Sequence, residues 1–183
     1  VLLDTLRIGG GLVLAGLGLS RFLRGAARTA PPRAVWLGWS LGGMLALARG
    51  DLELAERMLG RRYSMSGRVI RGDQLGRQLG YPTANMRVHR QKSPLKGVYA
   101  VRVGGLGEVR DAMASLGTRP TVDGREMRLE VHIFDFDEDI YGSHLRVEFV
   151  ARLRDEQRFD SVELMAEQLA RDAQNARDIL GTA

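Results

Sequence analysis

Cysteine is absent from this 183-residue chain, which excludes disulfides, zinc–thiolate sites and thiol nucleophiles. The absence also fits a reducing, cytoplasmic setting. Histidine is scarce: His89, His132 and His144 lie far apart and form no HExxH pair, which argues against a catalytic zinc centre. Lysine is nearly missing. Only Lys92 and Lys96 stand among 27 basic residues, so arginine carries almost all the positive charge. No GxxxxGK[ST] string occurs, and a P-loop is ruled out. Long apolar runs are missing too: Ile8–Leu19 and Val35–Ala48 both fall short of the roughly 20 residues that span a bilayer. Asp4 and Arg7 ahead of the first run make it a poor secretory signal. No membrane partner is expected.

The formal charge of +5 is unevenly placed. Residues 1–50 hold six arginines against Asp4 alone, whereas the remaining residues balance 21 basic against 21 acidic side chains. The larger part of the chain is therefore neutral, and its charge gives no argument for nucleic-acid binding. Aromatic residues make up only 6%, too few for a barrel that stacks bases on an exposed basic face.

Residues 1–50 read as an ill-defined apolar and arginine-containing segment, a remnant or altered upstream region that packs loosely. The first residue, Val1, is consistent with a fragment. Residues 51–62 read as a linker helix. Asp51 is its N-cap, Leu52, Ala55, Met58 and Leu59 form one face, and Gly60 ends it. Residues 63–183 read as the main domain. Period-two patterning predicts strands at Ser64–Ile70, Gly97–Val103, Asp111–Leu116, Met127–Phe136 and His144–Leu153. In the last of these, Leu145, Val147, Phe149, Ala151 and Leu153 are expected on one face. Short strands without intervening helices point to a small β-barrel or sandwich. Asp160 or Ser161 then caps a long helix whose apolar positions are Met165, Leu169, Ala173, Ala176 and Leu180, with Gly181 after it.

The most informative stretch is Gly80-Tyr81-Pro82-Thr83-Ala84-Asn85, reached through Gly72 and Gly76. Such glycines let backbone N–H groups turn toward a ligand, and Arg71 and Arg77 add positive charge. Pro82 fixes one φ angle. The Thr83 hydroxyl and the Asn85 carbonyl are neutral oxygens that a hard cation accepts alongside substrate phosphates. The stretch reads as a site for a metal-bound nucleotide, or else as a surface loop with an Asx-turn asparagine. Glu130 sits mid-strand on the polar face, as a general base would, or as a strand glutamate paired with Arg128 or His132.

The whole string resembles the signature of the riboflavin kinase family, which bacteria commonly carry as the C-terminal half of a bifunctional FAD synthetase. The likeness continues through Gly97–Val101, Leu116–Thr121, Leu129–Phe136, Asp139–Gly142 and Leu153–Glu156 with Phe159, in the family's order. Residues 48–61 are also similar to the junction that precedes the kinase domain in such proteins. The resemblance implies a mainly β fold: a six-stranded antiparallel Greek-key barrel with a C-terminal helix and a short N-terminal helical appendage. It implies transfer of phosphate from ATP to riboflavin, giving FMN and ADP with Mg²⁺. Glu130 falls on the family's catalytic base, and Thr83 and Asn85 on its metal and phosphate ligands. Gly72, Gly76, Arg77, Gly80, Pro82, His132 and Tyr141 would serve ATP, with His132 open to a purely structural role. Arg154, Glu156 and Phe159 would serve the flavin. Ser115 and Gln74 depart from the family, standing where an asparagine and a basic residue are usual. No HxGH-type motif occurs, so FMN adenylylation is not expected of this chain. The alternative is a non-catalytic flavin- or nucleotide-binding barrel. Oligomeric state is left open.

Overall fold

A computed structural model describes residues 33–72, 75–87, 93–121 and 124–182. The chain divides into two compact units, residues 1–41 and 42–183, and the second holds the sheet and every candidate site residue. Most of the expectation for residues 1–50 falls on 1–32, outside the described residues. Helix α1 (Arg33–Ala48) follows the second apolar run. Ala46 and Leu47 in its last turn are buried in the main core, while Met44 and Leu45 are exposed. Part of the segment expected to pack loosely is thus built into the core. Helix α2 (Leu52–Leu59) starts where Asp51 Oδ1 accepts the Leu54 N–H at 2.9 Å and stops at Gly60, whose φ of 69° suits glycine.

Six strands follow: β1 (Ser64–Ile70), β2 (Ala84–Arg87), β3 (Gly97–Leu106), β4 (Glu108–Thr121), β5 (Gly124–Ile133) and β6 (His144–Arg154). They pair antiparallel in the order β1-β2-β5-β4-β3-β6, and β6 closes on β1. This is the barrel that the resemblance implies. The strand β2 is absent from the periodicity reading, because at four residues it is too short to show alternation. The strand expected to reach Phe136 ends at Ile133, because the chain turns through Asp135 at a φ of 52°.

Met65, Val69, Met86, Val101, Val103, Leu116, Leu129, Val131, Leu145, Val147 and Phe149 fill the barrel interior. Period two puts Ala151 and Leu153 on that same face, but the register shifts twice along β6. Val101 pairs with Phe149 while Ala100 pairs with Ala151, so Val150 is an extra residue. Ala151 and Leu153 pack instead in a second cluster with Ala100, Met113, Phe134, Ala176 and Leu180, on the outer face of the wall. The same shifts bring Arg154 opposite Val98.

Helix α4 (Val162–Leu180) covers that outer face. Ser161, not Asp160, is its N-cap, accepting the Leu164 N–H at 3.3 Å. Burial of Leu180 contributes about 1.5–3 kcal/mol. At the far end the two Arg177 amino groups each donate to Asp135 at 2.9 Å, with the guanidinium 4.4 Å from the centre of the Phe134 ring. The Thr182 hydroxyl bonds Asp111. These contacts pin the C-terminal half of α4 to the wall and leave its first turns over the site.

Candidate active site

Cross-strand pairing sets Asn85 opposite Glu130, Glu130 opposite Ser115, Ser115 opposite Val98, and Val98 opposite Arg154. These residues form one rung around the barrel. Glu130 and Ser115 lie on the outer face because Leu129, Val131, Ala114 and Leu116 point into the core. With strands about 4.8 Å apart, the rung from Arg154 to Glu130 spans about 14 Å.

The connection from β1 to β2 folds over one end of this rung. A short helical turn α3 (Leu75–Gln78) leads into Gly80, whose φ is 82°. The Tyr81 N–H donates to the Gly76 carbonyl at 2.8 Å, and the chain approaches so closely that a Cβ on Gly76 would collide with the Tyr81 carbonyl. A Cβ on Gly72 would collide with the Asn85 side-chain amide. Both glycines are required by close approach of neighbouring groups. The Pro82 carbonyl accepts from His132 Nδ1 at 2.9 Å, which ties the loop to β5. His132 Nδ1 therefore carries the hydrogen. The ring is wedged edge-on between Tyr81 and Phe134; burial pushes its pKa down, and the Pro82 bond opposes that only in part.

Two cavities meet at Thr83. One, of about 260 Å³, is lined by Arg77, Pro82, Thr83, the acidic turn from Asp137 to Asp139, and Tyr141. The Arg71 guanidinium lies 5.3 Å from the centre of the Tyr141 ring. The other, of about 230 Å³, has Thr83, Glu130 and His132 at one end and Arg154, Phe159, Met165 and Leu169 at the other. A smaller space of about 190 Å³ continues from it past Ser115, Gly117, Arg128 and Glu156. Gly117 lets Glu156 lie against the wall, since a Cβ there would collide with that carboxylate.

The Glu130 carboxylate is about one-third exposed and lies 3.5 Å from Arg128 Nη1, lining the second cavity and the smaller space beyond it. Asn85 Oδ1 is buried without a hydrogen-bond partner in the described structure. A buried carbonyl oxygen left unpaired is an acceptor waiting for a donor or a cation. Among the described residues no three His, Asp or Glu side chains gather to hold a metal by themselves. The donor set thus fits an ion held mainly by substrate phosphates, with neutral protein oxygens added.

At the opposite end, the Arg154 guanidinium is held by Asp172 of α4. Nε lies 2.8 Å and Nη2 2.7 Å from Asp172 Oδ2, and Nη1 donates to the Asp155 carbonyl at 2.8 Å. Asp172 is 2% exposed and also accepts from Gln168. The Arg154 guanidinium lies 5.7 Å from the centre of the Phe159 ring.

The structure gathers Arg77, Pro82, Thr83 and Tyr141 around the first cavity, and Gly76, Thr83, Glu130, His132, Arg154, Glu156 and Phe159 around the second. Gly72 supports Asn85 from outside both, and Gly80 lines neither. Asp172 was missed. The signal was present, because an aspartate between Leu169 and Ala176 on the apolar stripe of a helix must find a buried partner. Ser115 was noted only as a departure, and its position beside Glu130 comes from the pairing of β4 with β5.

A family model described as riboflavin kinase (flavokinase) matches residues 59–180. The chain is 50% identical over 137 residues to the bifunctional riboflavin kinase/FMN adenylyltransferase of Escherichia coli (strain K12), covering 74% of this chain and 44% of that protein. It is 48% identical over 133 residues to the protein of the same description from Haemophilus influenzae, covering 72% and 43%. A crystal structure described as a macrolide-efflux protein from Streptococcus pneumoniae matches with a TM-score of 0.70 at 40% identity, over 75% of this chain and 46% of that one. The chain spans less than half the length of the curated relatives it matches. Among the described residues no helix is long and apolar enough to cross a membrane. By the family match and the barrel geometry together, this chain belongs to the riboflavin kinase family.

Proposed function

We propose that the chain transfers the γ-phosphoryl group of ATP to the ribityl 5′-hydroxyl of riboflavin, giving FMN and ADP. The observation that carries this reading is the meeting of two cavities at Thr83, with Glu130 lining the second of them and an apolar recess containing Arg154 about 14 Å along the same rung. ATP takes the cavity of Arg77, Pro82 and Tyr141, and riboflavin the cavity of Arg154, Glu156 and Phe159. The backbone around Gly72, Gly76 and Gly80 shapes the phosphate end, and His132 holds the Pro82 carbonyl.

The hydroxyl oxygen attacks the γ-phosphorus as its proton passes to the Glu130 carboxylate; the bond from the γ-phosphorus to the bridging oxygen breaks and ADP leaves. Thr83 and Asn85 hold Mg²⁺, which when bound offsets the phosphate charge. Residues 63–183 form the kinase domain and 51–62 its linker helix. The reaction belongs to the cytoplasm, a reducing compartment that suits a cysteine-free chain. FMN adenylylation is not part of this reading.

The test is incubation of the purified protein with riboflavin, ATP and Mg²⁺, with products separated by chromatography. FMN appearing in step with ADP supports the reading. Riboflavin bound without FMN formed would leave the non-catalytic barrel in its place.

A further inference from the structure

Arg154 can meet a ligand in two ways, by the N–H groups along its edge or by its flat face. Three of its five N–H groups are engaged, including the whole Nε–Nη2 edge. Nε lies 3.0 and 2.8 Å from the two Asp172 oxygens, Nη2 lies 2.7 Å from Oδ2, and Nη1 donates to the Asp155 carbonyl at 2.8 Å. Asp172 is held in turn by Gln168 Nε2 at 2.9 Å, four residues earlier on the same helix. The carboxylate is buried, so water does not compete for the guanidinium. With the Nε–Nη2 edge held by Asp172, Arg154 presents its plane to a recess shared with Val98, Met113, Phe159, Met165 and Leu169. The pair is neutral as a whole, and such a recess suits a flat, uncharged ring better than an anion.

We propose that Asp172 is a positioning residue that orients the Arg154 guanidinium so that Arg154 meets the flavin ring by its planar face and not by its hydrogen-bonding edge. The proposal rests on the riboflavin reading of this cavity. It makes α4 part of the recognition machinery, with the Arg177–Asp135 and Thr182–Asp111 contacts anchoring the helix that carries Asp172.

Direct titration of riboflavin without ATP, followed by the quenching of its fluorescence, tests the proposal apart from the chemistry. Asp172→Asn removes the charge that fixes the guanidinium, and Arg154→Lys keeps the charge but lacks a plane. Both should weaken riboflavin binding about tenfold or more, with the KM for ATP changed less than about twofold. Asp172→Glu should restore part of the loss. A buried pair that loses one partner can unfold, so the double variant Arg154→Met/Asp172→Leu supplies an apolar replacement that leaves no buried charge. Folded by circular dichroism, it should bind riboflavin as poorly as Arg154→Lys. Wild-type affinity in Arg154→Lys or in the folded double variant overturns the proposal, as does equal loss of riboflavin and ATP affinity. A wild-type protein that binds no riboflavin overturns it together with the flavin reading. Binding without FMN formation counts against the reaction alone, and the variants still decide the role of Asp172.

Discussion

Asn85 and Glu130 are direct cross-strand partners of β2 and β5, so the proposed metal ligand and the proposed base are held at fixed separation by sheet pairing. A loop would not give that precision. Asn85 is also the residue against which Gly72 packs, and its side-chain oxygen is buried and unpaired in the described structure.

Substituting Asn85→Leu should therefore separate function from stability. The kcat/KM for ATP with Mg²⁺ should fall roughly 10²-fold, the scale of losing one placed polar group at a phosphoryl centre. The melting temperature should stay at or above the wild-type value, because a buried acceptor without a partner costs about 1–3 kcal/mol. Steady-state kinetics and a thermal melt check both halves.

The glycines of the β1–β2 connection should differ from one another. Gly80→Ala meets open space but must hold a φ of 82°, at a cost of roughly 1–2 kcal/mol. Gly76→Ala collides with the Tyr81 carbonyl and must displace the backbone beside Thr83. Activity should survive largely in Gly80→Ala and drop by more than roughly tenfold in Gly76→Ala, since small displacements at such a centre are expensive. Parallel assays of the two variants provide the check.

His132 makes stability depend on pH. Its folded pKa lies below the ordinary value of 6.5, first because the ring is buried. Between that depressed value and about 6.5 the unfolded chain binds more protons than the folded one, so stability rises with pH in this window. The contribution is complete above about 6.5 and is lost as pH falls through the folded pKa. Urea melts should show this slope in the wild type and a flatter profile in His132→Asn, which keeps a donor for Pro82 without a titrating ring.

Much of the barrel is legible along the chain, because alternation in Ser64–Ile70 and in Met127–Ile133 directly reports which residues face the core. Alternation fails where local pairing overrides it. The register shifts in β6 depend on the partner strand β3 and turn Ala151 and Leu153 outward with no mark in their own sequence. The strand β2 is invisible because its four residues gain their pairing from β1 and β5, not from β propensity. Thr83, Asn85 and Glu130 stood out by residue type and motif, but the rung that brings Ser115 and Arg154 into line with Asn85 and Glu130 is a property of the closed sheet. Asp172 was readable as a charge on an apolar helix face; its partner, 18 residues earlier, was not.

The central claim is that Glu130 takes the proton from the riboflavin hydroxyl, and Glu130→Gln tests it most directly because the amide keeps the shape and loses the base. With riboflavin binding confirmed by fluorescence, FMN formation by the variant should be slower than wild type by about 10²–10⁴. A variant that binds riboflavin and makes FMN at a near-normal rate would contradict the account and remove Glu130 from the mechanism.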